Sequence, residues 1–213
     1  MIMENLPETV NTQSVALAIY NPTPGTKAID IRRQMLQLPE VAKSLSGVEK
    51  YIFAASTKMQ IADIDDGTLI AKTGQMFRFI AMDVGYIIPT NPEDWAYICT
   101  RLLDILKKYY SQMTLADIKL AFELATTGEL DDYLPKDSQG NPDKKHYQQF
   151  NADYFAKILN AYRRKQNGVI HKAYKALPEP KKELTPEEKR YYHNQTVARC
   201  REVFLQYKYT GRF

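Results

Sequence analysis

Cysteine, histidine, tryptophan and glycine are all scarce in this chain of 213 residues, which has two, three, one and nine of them. Two cysteines, Cys99 and Cys200, give no disulfide framework, and the expected compartment is a reducing cytoplasm. Zinc needs clustered Cys and His. Cys99, Cys200, His146, His171 and His193 include no two at ligand spacing, so no metal is expected. The glycines never assemble GxGxxG or GxxxxGK[ST]. Lys72-Thr73-Gly74 has the residue types of a phosphate loop in the wrong order. Asp63-x-Asp65-Asp66-Gly67 opens like a calcium loop, but its glycine is one position early and Gly74 stands where the bidentate Glu belongs. No Gly-x-Ser-x-Gly elbow occurs. No run approaches the ~20 apolar residues of a membrane span, and the N-terminus lacks the basic and apolar regions of a secretory signal. These absences point to a protein that is not an enzyme, holds no cofactor and does not enter a membrane.

What is present is aromatic residues and an uneven charge. Fifteen Tyr and eight Phe are far more than a solvated coil carries, so a folded core is expected. The net charge of +4 is the sum of −3 over residues 1–100, −3 over 101–143 and +10 over 144–213. The last segment also holds eight of the tyrosines. Such asymmetry points to a polyanionic partner, against the plain alternative that lysines and arginines solvate the outer faces of two helices.

Hydrophobic spacing predicts seven helices and no convincing βαβ or hairpin series, hence an all-α multi-helix bundle with a basic C-terminal helical extension. Residues 1–25, with Asn21-Pro-Thr-Pro-Gly25, read as a loosely held arm. Residues 26–176 read as the body, with a possible subdivision near 90. Helices are expected at 27–38, closed by Pro39, and at 47–62, with Val48, Ile52, Ala55 and Met59 inward. Asp63–Gly67 reads as a turn. Residues 76–88 lean towards helix over strand.

Asn91-Pro92-Glu93-Asp94 combines a cap, an N1 proline and two first-turn carboxylates. It opens a helix carrying Trp95, Ile98, Leu102, Ile105, Leu106 and Tyr109 inward. Thr114-Leu-Ala-Asp117 is a capping box with Asp in place of Glu; Ile118, Ala121, Phe122 and Ala125 follow, and Gly128 stops the helix. Residues 131–143 read as an exposed loop. Asn151 caps a helix burying Phe155, Ile158, Leu159 and Tyr162, with an interruption expected at Gln166-Asn-Gly168. A proline-punctuated linker at 177–184 precedes Thr185-Pro-Glu-Glu188, a full capping box. Its helix within 185–213 carries Val197, Cys200, Phe204 and Tyr207 along one stripe. Both cysteines read as small buried hydrophobes.

The block Thr114-Leu-Ala-Asp-Ile-Lys-Leu-Ala-Phe-Glu-Leu124, Gly128-Glu-Leu130, His146-Tyr147, Phe150-Asn-Ala-Asp-Tyr-Phe155 and Ile158-Leu-Asn-Ala-Tyr162 resembles a helical family of unknown function found in Bacteroidetes phages and mobile elements. The tail from Thr185-Pro-Glu-Glu188 to Tyr207-Lys-Tyr-Thr-Gly211 is similar to that family's ending. The resemblance spans residues 92–211 and departs at the charged insert 131–145. Its genomic company implies phage or mobile-element DNA replication, as a replisome organiser or helicase loader in the bacterial cytoplasm. It implies no catalytic residues.

Charge and resemblance together lead to a nucleic-acid-binding accessory protein, with DNA held at low sequence specificity. The candidate contacts are Lys157, Arg163, Arg164, Lys165, Lys172, Lys175, Lys189, Arg190, Arg199 and Arg201, with Tyr191 and Tyr192 placed to stack on bases. The alternative is an adaptor or phage structural protein that docks Val197, Cys200, Phe204 and Tyr207 on a replicative helicase or another phage protein.

Overall fold

A computed structural model describes Ile19 and residues 22–143, 150–178 and 185–210, the last without the Thr210 side chain. Most of the arm at 1–25, the linker positions 179–184, and His146, Tyr147 and Gly211 of the family-like blocks lie outside the described residues. Among those described there are eight α-helices and no strands. The chain divides into two compact units, Met1–Pro178 and Glu179–Phe213.

The first unit holds seven helices: α1 (Ala28–Leu36), α2 (Pro39–Ser44), α3 (Gly47–Ala55), α4 (Asp66–Asp83), α5 (Pro92–Tyr109), α6 (Leu115–Thr126) and α7 (Ala152–Lys175). The second is α8 (Pro186–Thr210). Local capping chemistry sets most of the starts. Ser46 and Glu49 form a reciprocal box at α3, the Asp65 carboxylate accepts from Thr68 N–H at α4, and the Asn91 carbonyl accepts from Glu93 N–H at α5. Asn151 does the same for Tyr154 N–H at α7. At α6 the box closes in both directions, Thr114 N–H to Asp117 Oδ2 at 2.9 Å and Asp117 N–H to Thr114 Oγ1 at 3.0 Å. Each such cap satisfies donors that the first helical turn leaves without partners.

α7 is the centre of the body and packs on α2, α3, α5 and α6. Its inward face carries Phe155, Ile158, Leu159, Tyr162, Val169 and Ala173, all buried. The Phe155 ring lies 5.1 Å from Phe122 of α6 and 5.6 Å from Phe77 of α4. Phe150, just before α7, joins the same cluster and stacks on Trp95 of α5. Edge and offset ring contacts of this kind add to the area they bury.

Several boundaries differ from the sequence expectation. The helix expected at 47–62 stops at Ala55, because the Ser56 and Thr57 hydroxyls bond back to the carbonyls of Phe53 and Ala54. Met59 is left exposed. The expected turn at 63–67 is largely the start of α4: Asp65 is its cap, and Gly67 lies inside its first turn. That helix begins ten residues before Met76. Pro39 opens α2 as its N1 residue, which gives eight helices where seven were expected. Gln166-Asn-Gly168 does not interrupt α7, since Gln166 is buried and hydrogen-bonded. At the end of α5 the buried ring is that of the C-cap Tyr110, and Tyr109 is exposed. The stretch 131–143 is pinned by buried Leu130 and Leu134, by a short 3₁₀ turn at Asp131–Tyr133 and by an isolated bridge between Lys136 and Pro142. Ile19, inside the segment read as a loose arm, belongs to the core.

Gly128 ends α6 at φ +84°, a region that a side chain disfavours, with Asp131 Oδ2 3.4 Å from where a Cβ would stand. Gly128→Ala is expected to lower stability by about 1 kcal/mol, read as a lower denaturant midpoint at unchanged slope.

Candidate nucleic-acid interface

The candidate cations of α7 are for the most part used inside the body. Lys157 is 15% exposed and pairs with Asp143 at 2.8 Å. Lys165 pairs with Glu129 at 2.8 Å and also donates to its backbone carbonyl. Lys172 pairs with Glu49 at 2.7 Å, and this ammonium, with the Ser46 N–H, holds the Glu49 carboxyl below its usual range. Arg163 donates to the Tyr109 carbonyl at 2.8 Å, with its guanidinium 4.9 Å from the Tyr110 ring centre. Among the described residues Arg164 bonds only its own helix, at Asn160 O. Of the α7 candidates, Lys175 forms no such bond among the described residues. α7 is therefore less free a cationic face than its composition implies: Lys157, Lys165 and Lys172 neutralise carboxylates of the acidic first two thirds.

α8 differs. Its start is the full capping box, with Thr185 N–H donating to Glu188 at 2.8 Å and Glu188 N–H to Thr185 Oγ1 at 3.1 Å. Lys189, Arg190, Arg199, Arg201 and Lys208 are exposed and form no ion pair among the described residues. Arg190, Asn194, Val197, Arg201, Phe204 and Lys208 recur at intervals of four and three. At 100° per residue they share one sector of about 80°. Glu188 and Glu202 lie well over 100° away from its centre by the same geometry, and Glu187 lies about 60° from it, one turn before Arg190. One side of α8 is thus a ridge of three cations interleaved with Asn, Val and Phe.

Tyr191 and Tyr192 are both exposed, at 59% and 53%, with their rings 5.7 Å apart. Tyr154 and Tyr162 are buried in the core. Val197, Cys200, Phe204 and Tyr207 are exposed too, which corrects the expectation that Cys200 is buried. Cys200 lies on a helix with no core of its own. Cys99 is half-buried in the body, and burial raises its thiol pKa.

Sequence reading missed a groove between α5 and α7. It consists of two adjoining hollows of 370 and 410 Å³ that share Arg101 and Ala152. Tyr97, Arg101 and Tyr109 of α5 form one wall, and Asn160 and Arg163 of α7 stand on the other. The available signal was Tyr97, an aromatic on the polar side of an amphipathic helix, which is 73% exposed.

Among the described residues, no group of three or more His, Cys, Asp or Glu side chains is placed to hold a metal ion, and no helix is long and apolar enough to cross a membrane. Comparison of the chain with protein-family models, with curated proteins and with solved structures finds no match.

Proposed function

We propose that this protein is a nucleic-acid-binding accessory factor that acts by binding and not by catalysis. The observation that carries the reading is the cation ridge of α8, exposed and without an ion pair among the described residues. A 25-residue helix is about 37 Å long, and Arg190, Arg201 and Lys208 stand about 16 and 10 Å apart along it, so each can reach a different, non-adjacent phosphate. Phosphate contacts release counterions and carry no sequence information, so the binding is weakly specific and steeply salt-dependent. Tyr191 and Tyr192 add exposed rings next in sequence to Lys189 and Arg190, about 100° and 160° round the helix from Arg190. The resemblance in the 92–211 region supports a role in phage or mobile-element DNA replication, as a replisome organiser or helicase loader in a bacterial host.

Fluorescence anisotropy with a duplex DNA fragment tests this. Arg190→Gln with Arg201→Gln is expected to weaken binding about tenfold at low salt and to reduce the log–log salt slope by about 2. Affinity that does not change between low and physiological salt would overturn it.

A second reading rests on Val197, Cys200 and Phe204, apolar side chains exposed on a helix that shields none of them. They fit the groove of a protein partner such as a replicative helicase. Cys200→Gln, a neutral change outside the cation ridge, would then sharply weaken co-elution with the helicase in size-exclusion chromatography and leave DNA affinity nearly intact.

A further inference from the structure

We infer that the groove between α5 and α7 is a second binding site, and that its ligand is a single-stranded stretch of nucleic acid. The inference rests on the proposed nucleic-acid function but uses residues outside the α8 ridge.

The first argument is charge. Among the described residues lining the groove there is no carboxylate, while Arg101 and Arg163 contribute two guanidinium groups. Arg101 is exposed and forms no ion pair among the described residues. Arg163 spends one N–H on the Tyr109 carbonyl and rests on the Tyr110 ring, which holds the remaining donors in place. The Tyr110 hydroxyl donates to Asn160 Oδ1 at 3.2 Å. The same hydroxyl lies 3.3 Å from the Ala156 carbonyl, and its single proton serves one of the two acceptors at a time. The polar groups of the groove are therefore mainly donors, a set that suits phosphate oxygens.

The second argument is the spacing of the rings. Tyr97, Arg101, Ile105 and Tyr109 follow one another every four residues along α5, at about 6 Å per step along the axis and about 40° round it, a winding ridge that carries Tyr97 into one hollow and Tyr109 into the other. Tyr97 is 73% and Tyr109 58% exposed, and each stands at one end of the row with the arginine between them. Lys108 lies 5.3 Å from the Tyr109 ring centre and adds a cation at that end. Aromatic rings spaced along a positive groove are a platform for successive unpaired bases, because every base has a face to stack. The row is about 18 Å long, which suits roughly three nucleotides. On α7, Ala152 and Ala156 leave the floor low, so the groove stays open.

A duplex presents its bases already stacked and offers these tyrosines nothing; the site thus discriminates by strandedness. The α8 ridge, in contrast, needs only phosphates.

The test uses the full chain and two labelled probes, a twelve-residue oligothymidylate and a duplex fragment, read by anisotropy. Tyr97→Ala and Arg101→Glu are each expected to weaken oligothymidylate binding roughly tenfold or more. Duplex affinity of Tyr97→Ala should stay within about twofold, since stacking plays no part there. Both side chains are exposed, so the melting temperature checks that the fold is unchanged. If oligothymidylate affinity stays within twofold in both variants, the groove is not the site. If in that case the α8 substitutions still weaken duplex binding, the proposed function stands without it. A wild-type chain that binds neither probe overturns both.

Discussion

Asp117→Ala is expected to cost about 3–5 kcal/mol and to lower the melting temperature by roughly 10 °C. Asp117 is 1% exposed and has two structural tasks. One oxygen closes the capping box on Thr114 N–H; the other accepts from the Tyr162 hydroxyl and from Gln166 Nε2, each at 2.8 Å. Thr114 in turn donates its hydroxyl to the Ala55 carbonyl at 3.1 Å, so the network ties α3, α6 and α7 together. Alanine removes the cap and leaves a hydroxyl, an amide and a backbone N–H buried without acceptors. Burying such groups unpaired costs far more than the net value of a hydrogen bond. Thermal unfolding followed by circular dichroism measures the loss; a drop of less than about 1 kcal/mol would mean that the network is not cooperative.

Asp117→Asn separates shape from charge. Asparagine fits if the Tyr162 hydroxyl accepts and the Gln166 amide turns over. Burial pushes the Asp117 carboxyl above its ordinary range, against the opposing bonds from Thr114 and Tyr162 and the nearby Arg32 charge. An acid with a raised folded pKa contributes stability that is complete below its unfolded value, about 3.9, and is lost as pH rises through the folded value. The stability of the Asn variant relative to wild type should therefore improve as pH rises from about 3 and level off above the folded pKa. A difference that is constant across that range would show that the buried carboxyl titrates as it does in the unfolded chain.

The network also shows what the sequence made legible. The Thr114-x-x-Asp117 box was readable because a cap is chemistry within four residues, and the same holds for Asn91, Asn151 and Thr185. The start of α4 was hidden because Asp65-Asp-Gly67 uses turn residues, and because Thr73 and Gly74 dilute the stripe formed by Leu69, Phe77 and Ile80. Thr73 is tolerated in the core only because its hydroxyl bonds back to Leu69 O at 2.7 Å. Longer-range pairing left no local trace. Lys172 and Glu49 are 123 positions apart, so nothing near Lys172 indicated that its charge was already spent. The α5/α7 groove has the same origin: Tyr97 and Arg101 read as solvated residues until α7 brings Asn160 and Arg163 opposite them.

Ending the chain at Pro178 should leave the melting temperature within about 2 °C of the full-length value and weaken duplex DNA binding at least a hundredfold at low salt. The first half follows from the core: among the described residues, every buried core side chain lies at or before Leu177. The second follows from the ion pairs: the truncated chain keeps Lys157, Lys165 and Lys172, but each already faces a carboxylate, whereas Lys189, Arg190, Arg199, Arg201 and Lys208 of α8 form no ion pair among the described residues. Helices that bury no face are marginal in water even with good caps, and α8 has its capping box, its N1 proline and acidic residues in its first turn to hold it. Its amides should accordingly exchange with solvent quickly in the free protein and become protected when duplex DNA is added, while those of α7 stay protected throughout. Protection of α8 that is already high without a ligand, or a melting temperature that falls by more than about 5 °C on truncation, would mean that α8 is part of the folded body and that its cation ridge is not free to bind.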